Sequence, residues 1–520
     1  MQPIRTDASE SVRRAGTIGR LARRVAIGVG LVTVFLLVPD CKPPAPPATT
    51  RRPFVWNQDE FWALLEAEFK SARAMDSNVL RQAIDREAAA LRKLLEDVAT
   101  TNVVPGGPLL AQLEMKIFRL APWVAAAPGA LPVYTDLISQ TRTAIKEQSH
   151  LWDVRDPATR QWLYRLLYGS RAALEEATLQ ADPMRVESLI VADQPLQRNA
   201  ESATNLAPSA PTPNPKVVVR GVEIQSGDIL VSRGGAATSA LIARGNDYPG
   251  NFSHIALAHV DARTHEASIV ESHIESGVGI TPIERYFQDK KLRILLLRLR
   301  SDLPALLADP ALPHRASSQA RSEVQRRHIP YDFTMNHRDH REQFCSEVAA
   351  AAYEPFGIRL WMGLSHLSGR GVTSWLGLLG ARHFDTQEPS DLEYDPQLRI
   401  VAEWHDSNTL YQDHVDNAII DVLLEGAERG ETLAYNWYLL PLARLSKIYS
   451  ASLNLFGRVG PIPEGMSATS ALRTRRFMAR HALIKQRVEA QSRQFQTESG
   501  YRPPYWALIK LARLAAAGVP

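Results

Sequence analysis

Two side chains in this sequence could form the reactive centre of a thiol hydrolase. His254 lies in the short apolar segment 252–258, and Cys345 directly precedes a segment rich in alanine, 346–352. Before a cysteine can attack a carbonyl carbon, it needs a neighbouring base and a local field that stabilises the thiolate. Histidine is the side chain best suited to act as that base near neutral pH. The two residues therefore predict acyl transfer through a cysteine nucleophile.

The position of Cys345 at the start of a predicted helix supports this chemistry. The sequence Ser-Glu-Val-Ala-Ala-Ala-Ala follows it, so we expect Cys345 in the first helical turn. Unpaired backbone N–H groups and the helix dipole favour negative charge there, and the same N–H groups could stabilise an oxyanion. The alternative is an inert, buried thiol, because free cysteine is often a core residue.

His254 and Glu271 are predicted on neighbouring strands. Side chains alternate along a strand, so His254 shares a face with two small alanines that leave room for a substrate. Glu271 ends the next strand, and its carboxylate could hold the second imidazole nitrogen. His273 and Glu275 lie close enough to compete for this role. An ordinary core or edge histidine and a solvent-facing glutamate are the alternatives.

The elements that must position these residues form an α+β domain over residues 217–380. Short apolar or β-branched runs with turn residues between them predict its strands, at 217–219, 229–231, 255–258, 267–270 and 292–299. Helices are predicted at 239–243 and 317–327, and a third follows Cys345.

Helical regions are predicted on both sides of this domain. Apolar residues at helical spacing predict a bundle over 56–200 and a helical C-terminal region over 381–520, including a helix at 398–404. Proline-rich stretches at 41–55 and 201–216 predict linkers.

Residues 1–40 have the pattern of an export signal or membrane anchor. Several arginines precede an apolar run at 25–38, and this order sends the following chain across the membrane. We therefore expect the protein on the periplasmic side of the cytoplasmic membrane, either anchored there or released by signal cleavage.

Composition narrows the remaining classes. The net charge of +4 over 520 residues gives no case for nucleic-acid binding. Cys41 and Cys345 are the only cysteines, so zinc-finger spacing is excluded, and Cys41 lies in a linker that makes it an unlikely partner for Cys345. A metal site formed by Cys345 with His328, His337 and His340 is disfavoured, because the charged residues around the histidines indicate a solvated loop.

An ordered series of short motifs carries a resemblance to a known family. The motifs are Gly227-Asp228-Ile229-Leu230, Phe252-Ser253-His254-Ile255-Ala256, Val270-Glu271-Ser272, Gly277-Val278 followed by Thr281-Pro282, Pro330-Tyr331-Asp332-Phe333 and Phe344-Cys345-Ser346-Glu347. Over about residues 217–379 the chain resembles the circularly permuted NlpC-type papain-like cysteine hydrolases, the YiiX-like group related to lecithin retinol acyltransferase. The resemblance implies a permuted papain-like domain with an antiparallel sheet.

The resemblance also implies roles for individual residues. Cys345 would match the family's nucleophile, His254 its general base and Glu271 its orienting residue, with no cofactor. The expected activity is cleavage of an amide or ester, as in a cell-wall-type peptide amidase or peptidase. An acyltransferase or lipid esterase of the same fold and an inactive peptide- or lipid-binding module are the alternatives. The partner is therefore a peptide, a cell-wall fragment or a lipid, and none is identified for the helical flanks.

Overall fold

The computed structural model describes residues 51–54, 60–181, 204–205 and 212–519, together with a few isolated positions between 23 and 38. Most of the predicted export segment 1–40 and of the linker 41–55 lies outside the described residues, so export stays a prediction. Across the part of the chain that is described, no helix combines the length and the apolar character needed to cross a membrane.

The N-terminal region is helical, as its apolar spacing predicts. Its helices are α1 (Glu60–Ala74), α2 (Ser77–Thr100), α3 (Pro108–Ala126), α4 (Leu131–Gln148), α5 (Pro157–Leu163) and α6 (Ser170–Ala181). The N-cap of α2 shows how the local sequence sets a boundary. The Asp76 side chain accepts hydrogen bonds from the amides of Asn78 and Val79, which have no partner within the helix.

A seven-stranded antiparallel sheet forms the centre of the molecule. The strands among the described residues are β1 (Thr204–Asn205), β2 (Lys216–Val219), β3 (Val222–Gln225), β4 (Ile229–Gly234), β5 (His254–Val260), β6 (Ala267–His273), β7 (Gly277–Pro282), β8 (Lys291–Leu299), β9 (Ser365–His366), β10 (Asp385–Thr386) and β11 (Leu398–His405). The order in the large sheet is β1-β11-β8-β4-β5-β6-β7, while β2–β3 and β9–β10 form separate pairs. The predicted α+β class, with an antiparallel sheet and helical flanks, is confirmed.

The helix predicted at residues 398–404 is wrong, because this segment forms the strand β11. It pairs with β8, and a bulge interrupts the register between Ile400 and Ala402. The bulge lets Leu398 and Ile400 enter the apolar core on one face of the sheet, while Ala402 and Trp404 enter the core on the other. Apolar residues on both faces remove the alternation that identifies a strand. The sheet therefore extends past residue 380 into the region 381–520, predicted to be a helical C-terminal region.

Helices cover both faces of the sheet. Those that follow β4 are α7 (Ala237–Arg244), α8 (Ile283–Gln288), α9 (Pro304–Ala308), α10 (Leu312–Arg326), α11 (Cys345–Tyr353), α12 (Arg370–Leu379), α13 (Ser407–Glu428), α14 (Leu440–Asn454), α15 (Ala468–Ser499) and α16 (Tyr505–Ala516). Val348 and Ala349 of α11 share a core with Ile255 of β5. This packing brings the first residue of α11 close to the strand that begins with His254.

Buried ion pairs join the N-terminal helices to the sheet and to the turn that precedes β11. The Arg142 guanidinium of α4 contacts the carboxylates of Glu393, at 3.0 Å, and Glu403, at 2.6 Å. Arg171 of α6 contacts the second oxygen of Glu393 at 2.8 Å. Because all four side chains are at most 9% exposed, their charges are compensated mainly by each other. The helical region is thereby fixed to the sheet.

Candidate active site

The sheet register brings His254 and Glu271 together. Ala256 of β5 lies opposite Glu271 of β6, so Glu271 is the diagonal neighbour of His254 on the same face. His254 Nε2 lies 2.8 Å from Glu271 Oε2. The Glu271 side chain is 2% exposed and that of His254 is 18% exposed, so the imidazole is the member of the pair that a ligand can reach.

Glu271 also contacts His273, which the sequence singled out as a competitor. His273 Nε2 lies 3.2 Å from Glu271 Oε1, and the two imidazole rings stack with centroids 5.6 Å apart. The carboxylate is thus shared between the two histidines. Burial alone would raise the pKa of Glu271, but hydrogen bonds and charge from both imidazoles outweigh burial and hold this pKa well below its usual range.

Cys345 is the first residue of α11 and is buried. The helix begins here because the Glu347 carboxylate accepts a hydrogen bond from the Phe344 amide at 2.8 Å. The thiol donates to the Ser253 carbonyl at 3.7 Å, and the Ile255 amide also bonds to the sulfur. The sulfur therefore contacts the main chain on both sides of His254. In the described structure its hydrogen bond goes to this carbonyl and not to the imidazole.

The resting protonation states follow from burial. Burial raises the pKa of Cys345 to about 12, although the Ile255 and Ser346 amides act in the opposite direction. The N-terminus of α11 therefore does not offset the desolvation of the sulfur. Burial also lowers the pKa of His254 from its usual value, and Glu271 opposes this shift only in part. The thiol and the imidazole are therefore both neutral at rest.

Cys345 lines a cleft of about 570 Å³ whose walls are mainly apolar. Leu241 and Ile242 of α7 form one wall, and Leu376 of α12 lies in another. Met466 and Met478 come from the C-terminal helical region, more than 120 residues after the cysteine. The volume falls in the range of sites that bind small ligands or a single substrate side chain.

Sequence reasoning missed one polar residue of this cleft and assigned no role to another. Glu388 lines the cleft and is only 4% exposed, but no motif marks it. Asp332 accepts hydrogen bonds from the Thr334 and Asn336 amides and so shapes the loop before α11. His340, considered above as a metal ligand, lies near the carboxylates of Glu347 and Glu354.

Comparison with known proteins identifies the central part of the chain. Residues 223–402 match the family model described as permuted papain-like amidase enzyme, YaeF/YiiX, C92 family. Neither the curated proteins nor the solved structures gave a match to the chain. The match covers the sheet strands from β4 to most of β11, together with the helix that carries Cys345. The chain therefore contains a permuted papain-like, YiiX-like domain.

Proposed function

We propose that this domain is a cysteine hydrolase in which Cys345 is the nucleophile, His254 the general base and Glu271 the residue that orients the imidazole. The observation that carries the proposal is the 2.8 Å contact between His254 and Glu271, next to a cysteine whose sulfur touches the main chain on either side of that histidine. The amidase family of the domain supports the same chemistry.

The geometry specifies the path of the proton. Because Nε2 of His254 is held by Glu271, Nδ1 is the nitrogen that receives the thiol proton. The thiol must first turn from the Ser253 carbonyl towards the imidazole; hydrogen bonds of this kind often form only when substrate binds. Since both groups rest in their neutral forms, the thiolate forms as the sulfur attacks.

The reaction then proceeds through an acyl-enzyme. The sulfur bonds to the carbonyl carbon, and the carbonyl oxygen takes up the negative charge near the N–H groups that begin α11. The C–N or C–O bond to the leaving group breaks, and the amine or alcohol takes the proton from the His254 imidazolium. A water molecule, deprotonated by His254, next attacks the thioester and releases the acid and the free thiol.

Mass spectrometry of the full chain after incubation with an activated acyl ester tests this function. We expect an acyl adduct on Cys345, its absence in Cys345→Ala and slow formation in His254→Ala. Glu266→Gln is a suitable control, because this acid is exposed and does not line the cleft. Hydrolysis that survives Cys345→Ala would show that the domain does not use this nucleophile.

The family description favours an amide substrate, as in a cell-wall-type peptide. The apolar walls of the cleft favour a second candidate, an ester or amide whose acyl group is apolar, as in a lipid. A substitution at Met478 can distinguish these two substrate classes. The Met478 side chain lines the cleft and is 44% exposed, so a tryptophan at this position would narrow the cleft without entering the core.

The test uses acyl esters of increasing chain length alongside cell-wall peptides. For an apolar acyl group, Met478→Trp should lower kcat/KM on long chains by about tenfold and leave acetyl esters unchanged. Met115→Trp, at another exposed methionine that does not line the cleft, is the matched control. Equal rates on all chain lengths, with turnover of peptides, would favour the peptide amidase.

A further inference from the structure

Glu388 is held rigidly in the wall of the cleft by its own main chain. Its amide donates to the Ser365 hydroxyl at 2.8 Å, and its carbonyl accepts from the Trp361 indole at 2.9 Å. The residue is 4% exposed. The main chain of Glu388 is therefore fixed on both sides, and its side chain is shielded from bulk water.

The carboxyl group of Glu388 lacks the partner that a buried acid normally has. Its Oε2 atom is buried and makes no hydrogen bond within the described residues. Asp391, three residues later, is compensated through one oxygen, because its Oδ2 atom is paired with Arg160, although its Oδ1 atom is also buried without a hydrogen bond in the described residues. A buried polar group without a partner is costly, so such a group in a ligand cleft indicates that its partner arrives with the ligand.

The protonation state of Glu388 decides what it can offer a ligand. Burial raises the pKa of Glu388 to about 8, and the neighbouring charge of Asp391 acts in the same direction. At pH 7 the group is therefore mainly a neutral acid that can donate a hydrogen bond. A carboxyl kept neutral by apolar surroundings is a known form of oxyanion donor.

Glu388 lines the same cleft as Cys345 and is close enough to act electrostatically on its thiol. Both residues line the cleft, and a negative charge on Glu388 would raise the pKa of Cys345 and of Tyr331. A carboxylate at this position would oppose both the thiolate and the oxyanion, whereas the neutral acid opposes neither. The other titratable groups that line the cleft are Glu275, Asp332 and Arg475.

We propose that Glu388 is a further catalytic residue, whose neutral carboxyl donates a hydrogen bond to the acyl oxygen of the substrate as that oxygen becomes negative. This role rests on the proposed cysteine hydrolase function. It adds a side-chain donor to the backbone N–H groups at the start of α11.

Two substitutions of Glu388 distinguish a hydrogen-bond donor to the substrate from an acid with a purely structural role. Glu388→Gln keeps an N–H donor of similar shape, so kcat should stay within about threefold of the original protein. Glu388→Ala removes the donor, and kcat should fall about 100-fold with little change in KM. Glu266→Gln is the control for loss of an acid, because this residue is exposed and does not line the cleft.

The pH profile gives a second measurement that a structural role would not change. The donor is present below the pKa of Glu388, so kcat/KM should fall as the pH rises through about 8. This fall should be absent in Glu388→Gln. If Glu388→Ala retains full kcat, or if the glutamine variant keeps the alkaline fall, the proposal is overturned. Hydrolysis that survives Cys345→Ala instead refutes the underlying function, so the two failures are distinguishable.

Discussion

Replacing Glu271 with glutamine is the most direct test of the histidine pair. Glu271 accepts from His254 through one carboxylate oxygen and from His273 through the other. Glutamine has only one acceptor oxygen, and its amide group donates. In Glu271→Gln one of the two imidazoles must therefore lose its partner or change tautomer, and the negative charge that stabilises a His254 imidazolium is removed.

The size of the effect follows from this geometry. A hydrogen bond to a charged group is worth about 1.5–3 kcal/mol. Because about 1.4 kcal/mol corresponds to a factor of ten, kcat should fall roughly 10- to 150-fold if His254 keeps the glutamine oxygen. If His254 instead adopts the other tautomer, its Nδ1 carries a proton and cannot accept one from the thiol. In Ser-His-Asp enzymes the corresponding change lowers kcat by about 10⁴-fold.

Steady-state kinetics on an activated ester and on an amide would measure this loss. His273→Phe provides the comparison, because it removes the second imidazole and leaves the His254 contact in place. We expect only a small change in kcat for that variant. An unchanged kcat in Glu271→Gln, or a larger loss in His273→Phe, would refute the assignment of Glu271 as the residue that orients His254.

Three further outcomes are expected. Burial raises the pKa of Cys345 to about 12, so the rate of its alkylation by iodoacetamide in the free protein should still increase between pH 8 and about 10. An alkylation rate that is already constant below pH 8 would contradict a neutral resting thiol. Because burial lowers the pKa of His254, the imidazole stays neutral at pH values somewhat below 6.5, the usual pKa of histidine. The fall of kcat/KM at acid pH should therefore have its midpoint below pH 6.5. A midpoint above that value would show that the interaction with Glu271 outweighs burial. Arg142→Met leaves Glu393 and Glu403 with less compensation and should lower the free energy of unfolding by about 3–5 kcal/mol, measured by urea denaturation. Arg513→Met breaks a more exposed ion pair with Glu425 and should cost less than about 1 kcal/mol; equal losses would show that the buried network has no special role.

The elements that carry the candidate site residues could largely be predicted, because their sequence signals are local. Alanines after Cys345 indicate a helix start, and the order of short motifs indicates the fold of the central domain. The alternation in β5 also predicted which face carries His254. The segment 398–405 was misassigned because its bulge places apolar side chains on both faces of the sheet. A strand of that kind has the same apolar pattern as a buried helix.

The sequence by itself determined the residue types available for thiol chemistry and the strands and helix on which they lie. Only the tertiary structure decided that Glu271 serves two histidines, that the thiol is buried enough to stay protonated, and that Glu388 and the C-terminal methionines line the same cleft. The spacing of apolar residues along the sequence indicates which face of a helix or strand is buried. The shared carboxylate, the buried thiol and the lining of the cleft depend instead on which distant segments cover that face. Desolvation and shared hydrogen bonds arise from such contacts, so they appear only after the chain has folded.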